Sequence, residues 1–242
     1  MPEVMPGDDL LVYVCQALER LSLVLQHGDV LVIAQKIISK AESRYVVLND
    51  VKPSQRAYEL AEQAKKDPRL VQLILDESSE VMRVRPGVII VRHRLGYVHA
   101  NAGIDRSNLA KYHDERVLLL PVNPDASAQA LREQLQTRFC CDLGVVINDS
   151  VGRAWRQGTV GLAIGVSGFN PLVDLVGAPD RHGRVMETTQ VGLADELAAA
   201  ASIIMGQSSE SIPAVLIRQA PVTLGHYSSK PLLRERTMDL FT

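Results

Sequence analysis

The stretch LGVVINDSVGRAWRQGTVGLAIGVSGF, residues 143–169, contains two apolar segments separated by a polar one. Residues 143–149 and 159–169 are short, rich in Val, Ile and Leu, and punctuated by glycine, so each is predicted to form a β-strand. The polar segment between them carries acidic, hydroxyl and basic side chains. Functional groups are commonly presented where a strand ends, so this stretch bears on both the fold and the chemistry.

Outward from this stretch, predicted strands and helices follow one another without a regular alternation. Residues 87–100 are predicted to form a hairpin that turns at Leu95–Gly96, which favours an α+β fold with mixed and antiparallel sheets over a doubly wound sheet. Further strands are predicted at residues 29–35, 44–48, 116–121 and 213–219. Helices are predicted within residues 7–29 (ending at Gly28), 53–66, 68–76, 125–139 (capped by Asp125) and 191–206.

The sequence contains few indications of domain boundaries. The chain has 242 residues and shows no repeat, low-complexity segment or obvious linker. We therefore expect one unit spanning residues 1–242, in which any two subdomains are interwoven and their boundary is undefined.

Composition excludes several classes of protein. The chain is 46% hydrophobic and 22% charged, with a net charge of −2, as in a soluble globular protein that does not bind nucleic acid. No signal-peptide core or membrane-spanning apolar stretch is present, so we expect a cytoplasmic protein without a membrane partner. The spacing of Cys15, Cys140 and Cys141 predicts neither a disulfide framework nor a zinc site.

The first candidate site follows the predicted strand at residues 29–35. Lys36 and Lys40 are four residues apart, so a helix would place both ammonium groups on one face, where an anion between them would relieve their repulsion. The alternative is a solvated helix start, which the pattern alone favours. No P-loop or Rossmann glycine motif occurs in the chain, so a nucleotide would be bound in another way.

The second candidate site is YVHANAGIDRSNL, residues 97–109. Asp105 and Asn108 can point in one direction from a single helical turn, and Gly103 allows the backbone to turn tightly. Carboxylate and amide oxygens suit Mg²⁺ or Mn²⁺. A helix cap at Asp105 or Ser107 explains the same pattern equally well.

The third candidate site is the polar segment of the opening stretch. Asp149 and Ser150 could share one or two cations, and Arg153 and Arg156 could bind phosphate or carboxylate oxygens. The alternative is an Asx-turn flanked by surface arginines. In the alanine-rich helix, Asp195 and Glu196 suit the helix dipole without any functional role, and the alanines suit tight packing.

Several motifs, taken in order, resemble the coenzyme F420-0:gamma-glutamyl ligase family. They are VIAQKIISKAE, YVHANAGIDRSN, LLLPVNPDASA, VINDSVGRAWRQG, AIGVSGFNPLVDLVG and ADELAAAA, and the likeness covers nearly the whole chain. The resemblance implies a family-specific two-domain α+β ligase fold, a homodimer, and GTP-dependent addition of L-glutamate to the terminal carboxylate of F420-0 through an acyl phosphate. It further implies two Mg²⁺ or Mn²⁺ ions, with K⁺ as a further candidate.

The resemblance also implies roles for individual positions. Asp105, Asp149 and Ser150 are expected to be metal ligands, and Asn108 a GTP contact. Further nucleotide contacts are expected at Gln35, Lys36 and Lys40, in an N-terminal strip (Pro2, Glu3, Val4 and Met5) and in the alanine-rich helix (Ala194, Asp195, Glu196, Leu197, Ala198, Ala199, Ala200 and Ala201). The assignment of Arg153 and Arg156 to phosphate or substrate carboxylate, as catalytic residues, comes from charge alone.

Two other functions remain open at this stage. One is a paralogous nucleotide-dependent ligase that joins a different acid and amine. The other is a binding protein that keeps the fold without catalysis. The pairing of Asp105 with Asp149 favours an enzyme.

Overall fold

Residues 143–169 form two long antiparallel strands of a central four-stranded sheet. A computed structural model describes residues 1–106 and 114–239. The helices are α1 (Leu10–Arg20), α2 (Gln35–Ala41), α3 (Gln55–Ala64), α4 (Pro68–Asp76), α5 (Pro124–Phe139) and α6 (Leu193–Met205). The strands are β1 (Val30–Ala34), β2 (Tyr45–Val47), β3 (Ser78–Arg85), β4 (Val88–His93), β5 (Val98–Ala100), β6 (Arg116–Leu118), β7 (Gly144–Arg153), β8 (Arg156–Ser167), β9 (Val173–Asp174), β10 (Gln190–Val191) and β11 (Ala214–Ile217).

The central sheet has the strand order β11–β1–β7–β8, and only its β1–β7 pair is parallel. β3, β4 and β5 form a separate antiparallel sheet, and β2–β6 and β9–β10 are short antiparallel pairs. The hairpin predicted at Leu95–Gly96 joins β4 to β5. Mixed and antiparallel sheets combined with helices confirm the α+β fold class.

Side-chain alternation along β1 gives the central sheet two buried faces. Leu31 and Ile33 belong to a core formed with α1, α2 and α5, whereas Val30 and Val32 belong to a core formed with α6. Successive residues of a strand point to opposite faces, so a fully apolar strand is expected where both faces are covered. The sheet is therefore enclosed between helices along the apolar parts of its strands.

The predicted strand end at residue 149 was wrong, because β7 continues through Asp149 and Ser150 to Arg153 and stays paired with β8.

A third hydrophobic core lies away from the central sheet. It is formed by residues between Leu48 and Leu119, mainly from α3, α4 and β4. β3 was not predicted as a strand, because its residues are mostly polar or partly exposed. The interwoven division of residues 1–242 into subdomains stays a prediction.

Several predicted helix boundaries were wrong. α3 begins at Gln55 after the cap residue Ser54 and ends at Ala64, so it is shorter than the predicted 53–66. α1 ends at Arg20, well before Gly28, because Ser22 adopts a left-handed conformation (φ 53°) and the N–H of Leu23 donates to the carbonyl of Leu18. That pattern is a Schellman motif, which ends a helix without requiring glycine. α5 is capped by Asn123, whose side chain accepts from the N–H of Ala126, and Asp125 lies in its first turn instead.

Two carboxylates bind the backbone of β8 near an irregularity in its pairing with β7. The β7–β8 register shifts between Ile147 and Asn148. The N–H of Ala163 donates to Asp195 Oδ1 (2.9 Å), and the N–H of Val166 donates to Asp125 Oδ1 (2.8 Å). Since β8 ends the sheet, these helix side chains satisfy donors that no neighbouring strand can reach.

No helix in the described part of the chain is long and apolar enough to cross a membrane.

Candidate functional site

A cavity of about 460 Å³ lies beside the end of β1 and the middle of its parallel neighbour β7. Ala34, the last residue of β1, pairs with Asn148 of β7, so the start of α2 and residues 148–150 face the same space. The other walls are residues 1–4 and residues 205–213. The volume falls within the usual range for small-molecule sites, roughly 300–1,000 Å³.

Eight of the residues predicted from sequence line this cavity together. They are Pro2, Glu3, Val4, Gln35, Lys36, Lys40, Asp149 and Ser150. They come from three distant parts of the chain; Lys36, Lys40, Asp149 and Ser150 follow from residue patterns, and the others from the family resemblance alone.

The two lysines of α2 face carboxylates within the protein. Lys36 Nζ lies 2.8 Å from Asp105 Oδ2, and Lys40 Nζ lies 3.4 Å from Glu3 Oε1. The Lys40 side chain is only 10% exposed, so it does not lie on a solvated helix face. Both cations are therefore held at the cavity, one of them in a largely buried position.

Asp149 is held on both of its carboxylate oxygens. Oδ1 accepts from the N–H of Ser150 (2.8 Å), and Oδ2 lies 2.8 Å from His99 Nε2. Burial disfavours the charged imidazole, but the hydrogen bond and negative charge of Asp149 outweigh it and raise the pKa of His99. The carboxylate thus has a fixed direction at the wall of the cavity.

Asp105 is held by backbone pairing with Leu118. Its N–H donates to the carbonyl of Leu118 and its carbonyl accepts from the N–H of Leu118, both at 2.9 Å. The helix that Asp105 or Ser107 is predicted to cap lies outside the described residues. The preceding turn requires Gly103, whose φ is 67° and where a Cβ would lie 2.7 Å from Leu120 Cδ1. Asp105 contacts the cavity through Lys36. Asn108 lies outside the described residues.

Other predicted residues lie away from the cavity wall. Arg153 and Arg156 are exposed near the turn of the β7–β8 hairpin, where Arg153 Nη2 donates to the carbonyl of Gln157 (3.0 Å). Met5 is exposed outside the lining. The predicted helix residues are also outside it: Ala194, Leu197, Ala198 and Ala201 pack into the core, Asp195 binds β8, Ala199 is partly buried, and Glu196 and Ala200 are exposed.

Residues 205–213 line the cavity and were not predicted as a site. This segment follows α6 and reads MGQSSESIP, a polar run that begins at Gly206 (φ 69°). The N-terminal ammonium group of Met1 donates to the carbonyl of Ser211 (3.2 Å), which joins the segment to the N-terminal strip. The concentration of Ser after a helix-ending glycine was the available sequence signal. It predicts only a loop, because nothing local says what the loop faces.

Comparison with known proteins decides the family. The sequence model of a family described as F420-0:Gamma-glutamyl ligase matches residues 1–219. The chain belongs to the F420-0:gamma-glutamyl ligase family. The resemblance inferred from the motifs is therefore confirmed.

Curated members of the F420-0:gamma-glutamyl ligase family are similar along almost the whole chain. A protein named Coenzyme F420:L-glutamate ligase from Methanothermobacter thermautotrophicus is 46% identical, covering 100% of this chain and 95% of its own length. Proteins of the same name from Methanocaldococcus jannaschii and Archaeoglobus fulgidus are 43% and 38% identical. They cover 90% and 99% of this chain, and 86% and 92% of their own lengths.

The oxygen ligands at the cavity suit a metal ion that is coordinated mainly by nucleotide phosphates and water. Among residues 1–106 and 114–239, no three or more His, Cys, Asp or Glu side chains are grouped as a metal site. Asp149 and the Ser150 hydroxyl do offer hard oxygen donors at the cavity. Mg²⁺ is usually bound by one or two carboxylates together with water and substrate phosphates, so this small donor set is sufficient for a nucleotide-borne ion.

Proposed function

We propose that the chain is a carbon–nitrogen ligase that joins the amino group of L-glutamate to the terminal carboxylate of coenzyme F420-0, with GTP converted to GDP. The names of its relatives support the two substrates. The observation that carries the proposal is the cavity that brings Lys36, Lys40, Asp149 and Ser150 together. Cations for phosphate and oxygens for a metal ion are what phosphoryl transfer requires of a protein.

Activation of the carboxylate explains the need for a nucleotide. A carboxylate is a poor acceptor of an amine because an oxide ion would have to leave. Transfer of the GTP γ-phosphoryl group to a carboxylate oxygen gives GDP and an acyl phosphate. The glutamate nitrogen then bonds to the carbonyl carbon, the carbon–oxygen bond to phosphate breaks, and the nitrogen loses a proton.

The cationic wall of the cavity binds the phosphates in this proposal. Lys36 and Lys40 contact phosphate oxygens through charge-assisted hydrogen bonds, which are stronger than neutral ones. Gln35, the N-terminal strip and residues 205–213 surround the remainder of the nucleotide. Arg153 and Arg156 keep their proposed role toward phosphate or substrate carboxylate on the basis of charge.

The acidic wall holds the metal ion. Asp149 and Ser150, with Asp105 beside Lys36, are the proposed ligands of Mg²⁺ or Mn²⁺. When bound, such an ion neutralises charge on the transferring phosphoryl group. The Asp149 carboxylate is oriented before any substrate arrives, because both of its oxygens already accept hydrogen bonds.

A ligation assay tests the proposal. The chain is incubated with F420-0, L-glutamate, GTP and Mg²⁺ or Mn²⁺, and products are identified by mass spectrometry, with K⁺ and ATP varied separately. We expect a mass gain of one or more glutamyl units together with phosphate release. Asp149→Asn should abolish both, whereas the control Glu62→Gln, exposed on α3 and outside the cavity lining, should leave them unchanged.

The assay also separates the alternatives. Phosphate release only with a different acid and amine would replace the proposal with a paralogous ligase. Absence of phosphate release across a matrix of acids and amines would replace it with a binding protein.

A further inference from the structure

We propose that His99 is a positioning residue of this site, which holds the Asp149 carboxylate in the orientation that a metal–nucleotide complex requires. The inference rests on the proposed function of the cavity. It adds a residue from the three-stranded sheet to a site otherwise built on the central sheet and the segments around it.

The first observation is that both nitrogens of the His99 ring have partners. Nε2 lies 2.8 Å from Asp149 Oδ2, and Nδ1 lies 3.0 Å from the carbonyl oxygen of Ala100. The side chains of His99 and Asp149 are 8% and 12% exposed, so water competes little for the hydrogen bond between them. A ring tied at both nitrogens cannot rotate without breaking a bond in a nearly dry environment.

The second observation is that neighbouring side chains pack against the His99 ring. Tyr97 meets His99 edge-on with the ring centroids 6.3 Å apart, and Tyr97 is in turn stacked on His93 at 5.2 Å. His99 also pairs with Val91 in the β4–β5 ladder. These contacts restrict the imidazole in addition to its hydrogen bond with Asp149.

The third observation concerns what remains for a ligand. Asp149 uses one lone-pair direction on Oδ2 for His99 and one on Oδ1 for the N–H of Ser150. A carboxylate has about four such directions, so two are left. Hydrogen bonds of this kind to a ligating carboxylate orient it, and their loss typically costs 10–100-fold in metal affinity or activity.

The test compares variants that keep or remove the bond to Asp149. His99→Leu removes it, whereas His99→Gln keeps an N–H donor near the position of Nε2. Tyr97→Phe is the local control, because the Tyr97 hydroxyl has no hydrogen-bond partner among the described residues and the ring is retained. Binding of Mn²⁺ in the presence of GTP is followed by the electron paramagnetic resonance signal of free Mn²⁺, and Tm is recorded for every variant.

We expect His99→Leu to lower the Mn²⁺ affinity about 10–100-fold and to lower kcat, with a smaller change in the KM for GTP. His99→Gln should recover most of the loss, and Tyr97→Phe should match the unmodified chain. Wild-type affinity in His99→Leu overturns the inference. So does a loss in His99→Gln equal to that in His99→Leu, or an effect that follows Tm across the variants.

The Mn²⁺ measurement also separates this inference from the proposed function. If the unmodified chain binds Mn²⁺ with GTP but does not join glutamate to F420-0, the reaction assignment fails while the role of His99 is still decided by the variants. If the unmodified chain binds no Mn²⁺ in the presence of GTP, the role of His99 is overturned directly.

Discussion

At the scale of single residues, Lys40 is the more buried of the two lysines that line the cavity. Its side chain is 10% exposed and its partner Glu3 is 52% exposed, so the pair sits between protein and solvent. A buried ammonium group loses hydration and needs a counter-charge. Glu3 supplies one, and a nucleotide phosphate would supply a stronger one.

Replacement of this lysine tests the phosphate-binding role. In Lys40→Met the apolar stem is kept and the charge removed, so we expect the KM for GTP to rise about 10–100-fold, corresponding to roughly 1.5–3 kcal/mol for a hydrogen bond to a charged group. Steady-state kinetics with GTP varied measures it. Lys52→Met, on an exposed surface outside the cavity lining, is the control. Equal KM values in the two variants would refute the role.

Local residue chemistry was predictable where it depends on residue type and neighbours in sequence. Asp149 and Ser150 are predicted from a polar pair that follows an apolar run in the sequence, and both line the cavity, although they lie within β7 and not beyond its end. The bond between His99 and Asp149 was not predictable, since the two residues are 50 positions apart. Their contact depends on how two separate sheets pack, which no local pattern encodes.

At the scale of elements, the outer strand β8 depends on carboxylates from the helices packed on it. Asp195 lies in the first turn of α6 and accepts from the N–H of Ala163. Burial raises the pKa of Asp195, and the backbone hydrogen bond offsets part of this effect. For an acid whose folded pKa is raised, stability is greatest below the unfolded pKa and is lost as the pH rises through the folded pKa.

Two substitutions at Asp195 separate its charge from its hydrogen bond. Asp195→Asn keeps an acceptor oxygen, so its stability relative to the unmodified chain should increase between about pH 4 and pH 7. Asp195→Ala leaves the Ala163 N–H unpaired and should be less stable by about 1–3 kcal/mol. Urea unfolding at several pH values measures both, with the exposed Glu196→Gln as control. Equal stability of the Asn and Ala variants would contradict the assignment.

Most elements of the fold were predictable because their apolar patterns are strong. β1 and the first part of β7 are apolar runs, and both formed as expected, whereas the polar continuation of β7 to Arg153 was not predicted. β3 was missed because its outward residues are charged and its burial is partial. The end of α1 was missed because a serine adopts the left-handed conformation that usually signals glycine.

At the scale of the whole molecule, a charged cluster around Glu77 joins distant segments. Arg44 Nη2 lies 3.3 Å from its carboxylate, Arg94 Nη2 3.1 Å, and His93 Nε2 3.6 Å. Arg44 Nε also donates to the carbonyl of Leu120. Burial opposes ionisation of Glu77, but the contact with His93 and the charges of Arg94 and Arg44 outweigh it and lower its pKa.

The sign of this shift predicts how stability responds to acid. A carboxyl group with a lowered folded pKa contributes stability above its unfolded pKa, about 4.3, and loses it as the pH falls through the folded value. Glu77→Gln should therefore be less stable by about 1.5–3 kcal/mol at pH 7, with the difference shrinking below about pH 4. Chemical unfolding between pH 3 and pH 7 measures it, and exposed Glu62→Gln is the comparison. A pH-independent difference would rule out the linkage.

The homodimer that the family resemblance implies is a second prediction at this scale. Light scattering should give twice the mass of the chain. Trp155, the single tryptophan, is 88% exposed near the turn of the β7–β8 hairpin and reports on association if that hairpin is covered. A monomeric mass at micromolar concentration would refute the dimer.

The assembly of the cavity was the least predictable feature. It requires β1 and β7 to pair in parallel with Ala34 beside Asn148, although these residues are far apart in the chain. It also requires the N-terminal strip and residues 205–213 to meet above them. Register between distant strands depends on global packing, so sequence patterns predicted the parts of the site and not their arrangement.

The ion pair between Lys36 and Asp105 has a thermodynamic consequence. Under the proposed function, phosphate takes Lys36 and a cation takes Asp105, so either binding event breaks the same 2.8 Å contact. The free energy needed to separate this pair is then supplied once, by whichever ligand binds first, and the second ligand no longer has to break this contact. Linkage requires this advantage to be reciprocal. A single salt bridge would thus make nucleotide and metal binding cooperative without any movement of the sheet.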